Sequence, residues 1–363
     1  MMRVAIVGCG QLSRMLALAG IPLGLKFSFI ADANEDAVCV EGLGLIVRYV
    51  SGSDAKQLYE DLGRPDCVTI EKEQTESALL DELSKYCDVF PNASAVSVCQ
   101  HRYQERKLLE RLSIPCAPYQ YEVTASDSLA ELTLPVVVKS CCEGYDGKNQ
   151  WVLKTLDDVA AFDKQLESDY IIEQWIPFEK ELSQVSARSV TGEIVHYALT
   201  ENAHKDGMLR QSIAPAENVP ESLIEQAQAY MCKVLESLNY VGVLAIEFFV
   251  VDGNLLVNEL APRVHNSGHW TQSGSITSQF ENHLRAITGM TLGSTANHSL
   301  AGMVNFIGQA IPAHFSLSPY STLHWYDKSV RPGRKLGHIN VVAQDYASLD
   351  ERMRYMQSQL ADC

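Results

Sequence analysis

The chain has 363 residues, 46% of them hydrophobic, which suits two or three domains sharing clefts better than one small unit. Its formal charge of −16 excludes a general nucleic-acid or membrane-surface binder, because both need a positive field; a small anionic ligand would need a local basic pocket. Ten cysteines form no C-x-x-C pair, and the adjacent Cys141-Cys142 is poor geometry for a structural bridge, so reduced thiols are expected. The start is too short for a signal-sequence core, and no apolar run is long enough to span a bilayer, so a cytoplasmic location is expected.

Val4-Ala5-Ile6-Val7 is a buried-strand run, and Gly8-Cys9-Gly10-Gln11-Leu12-Ser13 turns from it into a helical pattern carried by Met15, Leu16, Leu18 and Ala19. A strand, glycine turn and helix offer backbone N–H groups to a phosphate. Asp32 lies about 20 residues on, where a dinucleotide fold places its ribose-binding acid. The third glycine of that fingerprint is Ser13, so the signal is partial, and a nicotinamide-binding oxidoreductase stays open on these residues alone. Val68-Thr69-Ile70-Glu71 and Val89-Phe90-Pro91 read as later strands of the same parallel sheet, alternating with helical segments. Glu71, at the carboxyl end of its strand, is either at the ligand edge or a solvated loop acid.

Residues 100–112 form a charged helix with Leu108, Leu109 and Leu112 as its apolar stripe; most of Arg102, Arg106, Lys107 and Arg111 are expected to be solvated. Ile114-Pro115-Cys116-Ala117-Pro118 then breaks the chain near a domain boundary. Leu134-Pro135-Val136-Val137-Val138-Lys139 is a strand tipped by one lysine, followed by a loop centred on Gly144-Tyr145-Asp146-Gly147-Lys148. Such a loop either folds over a triphosphate like a flap or is a surface hairpin; no P-loop pattern is present. Tyr170-Ile171-Ile172-Glu173-Gln174-Trp175-Ile176 is another strand ending in polar residues. Residues 182–189 and 195–199 pair through Thr191-Gly192-Glu193, His204 and Arg210 lie in a loop beyond, and residues 221–238 form a long helix.

Two apolar runs, 246–251 and 254–259, then flank a turn, and each carries one carboxylate. A two-residue loop, Asp252-Gly253, puts Glu247 and Glu259 on opposite faces. An odd loop or a bulge at residues 252–254 sets them directly opposite, roughly 5 Å apart between Cβ atoms, where like charges repel. Only a cation makes that arrangement worthwhile, and carboxylates bridging Mg²⁺ and substrate phosphates are how that ion is usually held. An edge hairpin with two solvated acids is the other reading. Asn258, Arg263, His265, Asn266 and His269 follow closely, an expensive concentration of hydrogen-bonding groups unless they face a ligand. Near the end, Lys328, Arg331, Arg334 and Lys335 surround Pro332-Gly333, as a solvated basic turn or as cations converging on one phosphate.

A lysine-tipped strand, a glycine loop, a Glu173-Gln174 hinge and paired acids on late strands, in that order, resemble the ATP-grasp ligases. Gly10-Gln11-Leu12 with Arg14-Met15, Gly144-Tyr145-Asp146-Gly147, the run from Asn258 to Trp270, Ser278-Gln279-Phe280-Glu281, and His324-Trp325-Tyr326-Asp327-Lys328 with Arg331-Pro332-Gly333-Arg334-Lys335 are similar to the N5-carboxyaminoimidazole ribonucleotide synthetase family within that superfamily. The resemblance covers nearly the whole chain. It implies an α/β and α+β architecture: an N-terminal Rossmann-like parallel-sheet domain over 1–100, a two-lobed ATP-grasp domain over 101–292 whose small flap lobe covers about 114–173, and a small β-rich C-terminal domain over 293–363.

The resemblance also implies a reaction. ATP would phosphorylate bicarbonate to carboxyphosphate, and the exocyclic amine of 5-aminoimidazole ribonucleotide would take the carboxyl group, as in purine biosynthesis; another ATP-grasp carboxylate-amine ligase is the alternative. By the same likeness Glu247 and Glu259 hold Mg²⁺, and Arg102 and Lys139 touch the ATP phosphates with Asn258 beside them. Gly144, Tyr145, Asp146, Gly147, Lys148 and Gln150 close over the phosphates. Glu173, Gln174, Trp175 and Ile176 receive the adenine, Glu181 and His204 the ribose. Gln11, Leu12, Tyr145, Asp146, His265, Asn266, Lys328, Arg331, Arg334 and Lys335 bind the aminoimidazole ribonucleotide, and Arg263 faces the anionic intermediate, with Lys139 and Asn266 also in the chemistry. A homodimer is implied. Other ATP-grasp enzymes commonly have Asn where Ala261 stands, so Asn258 would substitute for it. Glu143, Asn149 and Ser13 occupy positions where this family usually has glycine.

Overall fold

The computed structural model describes residues 2–142, 149–163 and 169–361. Alternating buried runs and amphipathic helices in the first hundred residues give a parallel sheet of β1 (Arg3–Val7), β2 (Lys26–Asp32), β3 (Leu45–Tyr49), β4 (Cys67–Ile70) and β5 (Asp88–Val89), ordered β3-β2-β1-β4-β5. Its carboxyl edge, where Gly8 follows β1 and Glu71 follows β4, meets the rest of the molecule through contacts such as Thr69 with His283 and Gln11 with Lys328.

A second sheet comprises β6 (Tyr119–Tyr121), β7 (Val136–Ser140), β8 (Gln150–Leu153) and β9 (Tyr170–Gln174), ordered β6-β9-β7-β8. This small lobe has its own apolar core of Ala125, Leu132, Val136, Val138, Leu153, Val159, Phe162 and Ile172. Residues 143–148, expected as the flap, lie outside the described residues.

The third sheet holds β10 (Lys180–Arg188), β11 (Ile194–His196), β12 (Thr200–Lys205), β13 (Met208–Ala214), β14 (Gly242–Val251) and β15 (Asn254–Ala261), and continues into β16 (Leu300–Ile307), β17 (Ser321–Trp325) and β18 (Lys335–Ala343). The β-rich C-terminal strands are therefore not a separate layer: β16 bonds directly to β13 through Gln211↔Val304 and its neighbours, giving the order β15-β14-β10-β12-β13-β16-β18-β17. His204 and Arg210, expected in a loop, sit on the β12–β13 hairpin instead. One apolar cluster runs through Leu16 and Phe29 of the first domain, Val185 and Ala245 of the large sheet, and Tyr326 near the end, joining all three regions.

Candidate functional site

The geometry of the paired acids turns on one residue. Val251 pairs with Asn254, so Asp252-Gly253 is a two-residue turn, and both turn residues have positive φ (48° and 69°), as a type I′ hairpin requires. That turn alone would put Glu247 opposite Asn258. The register instead shifts between Glu247 and Phe248: Phe248 pairs with Val257, and Glu247 with Glu259. Asn258 is thus the extra residue of a β-bulge, and the two carboxylates share a face. A bulge was expected at residues 252–254; it lies four residues further along, because Asp252-Gly253 already satisfies the hairpin turn.

Burial and the facing Glu259 carboxylate push Glu247 up to about 7. His265 Nε2 stands 3.6 Å from Glu247 Oε1, but burial and the nearby Arg263 keep this imidazole neutral, so the contact is not an ion pair. Among the described residues no three His, Cys, Asp or Glu side chains gather to hold a metal by themselves. Two carboxylates flanking the Asn258 amide fit Mg²⁺, which keeps waters or phosphate oxygens for its remaining positions.

Cations surround these acids. Arg102 Nη1 lies 3.3 Å from Glu259 Oε2. Lys139, at the tip of β7, pairs with Glu173 (2.6 Å) and donates to Asn258 Oδ1 (3.3 Å). Burial and the neighbouring guanidinium groups lower its pKa against the pull of Glu173. Burial would raise the Glu173 carboxyl, but Arg106 and Lys139 outweigh it and hold it at about 2. Glu181 pairs with His204 across the β10–β12 edge; burial works against the charged imidazole, and Glu181, Glu247 and Glu259 together keep its pKa raised.

Of the residues expected to receive adenine, Glu173 spends its carboxylate on Arg106 and Lys139. The Gln174 side chain is bound to Thr133 and Pro135. The Gln174 and Trp175 N–H groups donate to Pro118 O and Pro135 O. The exposed Trp175 ring and the half-buried Ile176 are what remain open there, and Gln150 is exposed at the start of β8.

Lys328 donates to Gln11 Oε1 across 317 positions of sequence, which brings together two of the residues expected to bind the ribonucleotide. Arg14 and Asp327 add an ion pair of 3.0 Å beside it. Arg334 reaches Ser329 (2.6 Å) and lies 3.6 Å from Asp36, while Arg331 is exposed. Leu12 turns into the apolar core, so only its backbone can meet a ligand. Arg263 pairs with Glu73 at 2.7 Å. Both amide atoms of Asn266 are buried with no hydrogen-bond partner among the described residues. From this segment a stack of imidazoles leads to the C-terminal strands: His269 to His338 (4.7 Å between rings) and His338 to His324 (4.5 Å), all three held neutral by burial.

Three residues have surroundings that the sequence did not reveal. Arg106, grouped there with the solvated charges, is fully buried. Glu73 is the partner of Arg263, and its place just past the carboxyl end of β4 is the signal that could have found it. Glu71, at the carboxyl end of its strand, is not solvated: it is buried and accepts from the Gly10 and Ser13 N–H groups (2.9 Å for Ser13) at the start of the Gln11–Gly20 helix. A Cβ on Gly10 would stand 2.6 Å from Glu71 Oε1. The anion site of the glycine turn is therefore filled by the protein's own carboxylate. Asp32, the expected ribose acid, is paired with Lys72. Both features remove the dinucleotide-binding reading.

Comparison with known proteins agrees with this geometry. A family model described as the ribonucleotide synthetase preATP-grasp domain matches residues 1–100, the ATP-grasp domain matches 107–280, and the phosphoribosylaminoimidazole carboxylase C-terminal domain matches 301–352. The N5-carboxyaminoimidazole ribonucleotide synthase of Pseudomonas aeruginosa is 41% identical over 98% of this chain and 99% of its own. The crystal structure of N5-carboxyaminoimidazole ribonucleotide synthetase from Thermus thermophilus superposes with a TM-score of 0.92 at 39% identity, covering 99% of each chain. The Aspergillus clavatus synthase, solved with ADP and 5-aminoimidazole ribonucleotide, superposes with a TM-score of 0.90 at 25% identity over 100% of this chain and 99% of that one. The chain belongs to the N5-carboxyaminoimidazole ribonucleotide synthase family of ATP-grasp ligases.

Proposed function

We infer that the protein catalyses ATP-dependent carboxylation of 5-aminoimidazole ribonucleotide by bicarbonate, giving N5-carboxyaminoimidazole ribonucleotide, ADP and phosphate. The observation that carries this is the bulged hairpin: it brings Glu247 and Glu259 together on one face of a sheet whose far strands lead to the Lys328–Gln11 pair.

Glu247 and Glu259 would hold Mg²⁺, which supplies charge neutralisation on the transferring phosphoryl group. Lys139 and Arg102 would contact the ATP phosphates, and Glu181 with His204 would take the ribose hydroxyls. Transfer of the γ-phosphoryl to bicarbonate needs positioned cations more than covalent help, and Lys139, Arg102 and Arg263 would supply them. Lys328, Arg331, Arg334 and Lys335 would grip the 5′-phosphate of the ribonucleotide, with Gln11 and Asn266 orienting its ring toward the carboxyphosphate carbon. The amine would then attack that carbon and phosphate would leave. Tyr145, Asp146 and the rest of the flap belong to this proposal from the sequence alone. So do the domain limits of 1–100, 101–292 and 293–363, a homodimeric assembly and a cytoplasmic location. No helix among the described residues is long and apolar enough to cross a membrane.

A coupled ADP assay tests the reading. Phosphate release should need both bicarbonate and 5-aminoimidazole ribonucleotide; release indifferent to the ribonucleotide, or driven by another amine, would assign the chain to a different carboxylate-amine ligation.

A further inference from the structure

A β-bulge leaves backbone groups on its strand without ladder partners, and a buried N–H or C=O left so is costly. The bulge at Asn258 has its partners supplied from a distant helix, Arg102–Arg111. Arg106 Nη2 donates to the Asn258 carbonyl at 2.7 Å, and Glu105 Oε2 accepts from the Leu260 N–H at 3.0 Å. These two groups bracket Glu259, one residue to either side of it. Glu105 and Arg106 are locked to each other at 2.6 Å, and Arg106 is fully buried. The guanidinium also donates through Nε to Glu173 Oε1 (2.7 Å), Glu173 pairs with Lys139 (2.6 Å), and Lys139 returns to the Asn258 side chain (3.3 Å). The circuit thus closes on Asn258 at both its carbonyl and its amide.

Without the bulge, the Asp252-Gly253 turn would place Asn258, not Glu259, opposite Glu247. The shifted register keeps Leu260 beside Ile246 and Ala261 beside Ala245 in the core, but it also sets two carboxylates face to face, which by itself is repulsive. The hydrogen bonds that complete the bulge come from Glu105 and Arg106. We propose that Glu105 and Arg106 are positioning residues for the paired acids, a clamp that fixes the bulge and thereby presents Glu259 to the metal. The inference rests on Glu247 and Glu259 being the metal-binding acids. Arg106 is suited to the task because its planar fork serves Glu105, Glu173 and the carbonyl at once, which a lysine ammonium cannot do with the same geometry.

The test is Mn²⁺ retained by the protein in equilibrium dialysis against Mn²⁺ and ATP, together with thermal unfolding of the metal-free protein. Arg106→Lys and Glu105→Gln are compared with Leu109→Ala, which empties a buried position on the same helix that makes neither of the hydrogen bonds to the bulge. Expected is a loss of Mn²⁺ affinity of about tenfold or more in both clamp variants, the range seen when groups orienting a metal ligand are removed. Leu109→Ala should keep near-wild-type affinity despite its lower melting temperature. Should Arg106→Lys not fold, Glu105→Gln decides alone. Clamp variants with wild-type affinity, or with losses no larger than Leu109→Ala shows at equal destabilisation, would overturn the proposal. A wild-type chain that holds no Mn²⁺ with ATP would overturn the metal reading of Glu247 and Glu259 itself, a different failure.

Discussion

Replacing Glu247 by glutamine should stabilise the metal-free protein and abolish its response to metal. In the folded chain burial and the Glu259 carboxylate hold the Glu247 proton up to about pH 7, against an ordinary value of 4.5. The unfolded chain releases that proton near 4.5, so between these two values the folded state carries an extra proton, and stability falls as pH rises through that window. A difference of about 2.5 pKa units corresponds to about 3 kcal/mol, fully developed above pH 7 and absent below about 4.5. Glu247→Gln keeps the shape and removes the titration. Urea unfolding in EDTA should therefore show the variant about as stable as wild type at pH 4.5 and more stable by up to about 3 kcal/mol at pH 8. Adding Mg²⁺ and ATP should stabilise wild type strongly and the variant far less, because the cation relieves the repulsion that glutamine has already removed. A stability difference that does not change with pH, or equal stabilisation of both proteins by Mg²⁺ and ATP, would refute the reasoning.

Lys139→Met removes the cation that joins Glu173 to Asn258; phosphate release in the coupled assay should fall about 100-fold or more, and a loss under tenfold would remove Lys139 from the phosphate site. Lys328→Ala should raise KM for the aminoimidazole ribonucleotide at least about tenfold while leaving KM for ATP near wild type, since loss of one charged hydrogen-bond partner is worth about 1.5–3 kcal/mol. Equal rises in both constants would contradict the assignment. Gly10→Ala forces Glu71 off the helix start, because the new methyl would lie 2.6 Å from its carboxylate; a loss of about 1–3 kcal/mol in unfolding free energy is expected, and unchanged stability would show that Glu71 can cap from elsewhere.

What the sequence made legible is what local periodicity controls. The strand–turn–helix at residues 4–19, the lysine at the tip of β7 and the period-two runs on either side of Asp252-Gly253 all came through. So did the need for an odd register if Glu247 and Glu259 were to meet. The position of the bulge did not, because its cause is not local: the groups that satisfy it come from Glu105 and Arg106, more than 150 positions earlier. Arg106 was misread for the same reason, since a helix with a narrow leucine stripe puts its arginines in water unless carboxylates arrive from elsewhere, here Glu173. Glu71 shows the converse case. Glycine spacing reports that a helix start is open to an anion, but it cannot report that the anion is the protein's own side chain.

The unbroken hydrogen bonding from β15 to β17 has a mechanical consequence. The strands that carry Glu247 and Glu259, and those that lead to the basic turn, are parts of one stiff plate, and a shared apolar cluster fastens the first domain to it. The distance between Glu247 and Glu259 and the basic turn that follows Lys328 is thus a built-in gauge, set when the chain folds. The small lobe has a separate core and meets the plate and the Arg102–Arg111 helix through polar contacts, Lys139 with Asn258 and Glu173 with Arg106. Hydrogen exchange should divide the molecule the same way: slow and uniform across the plate, and responsive to nucleotide in β6 to β9.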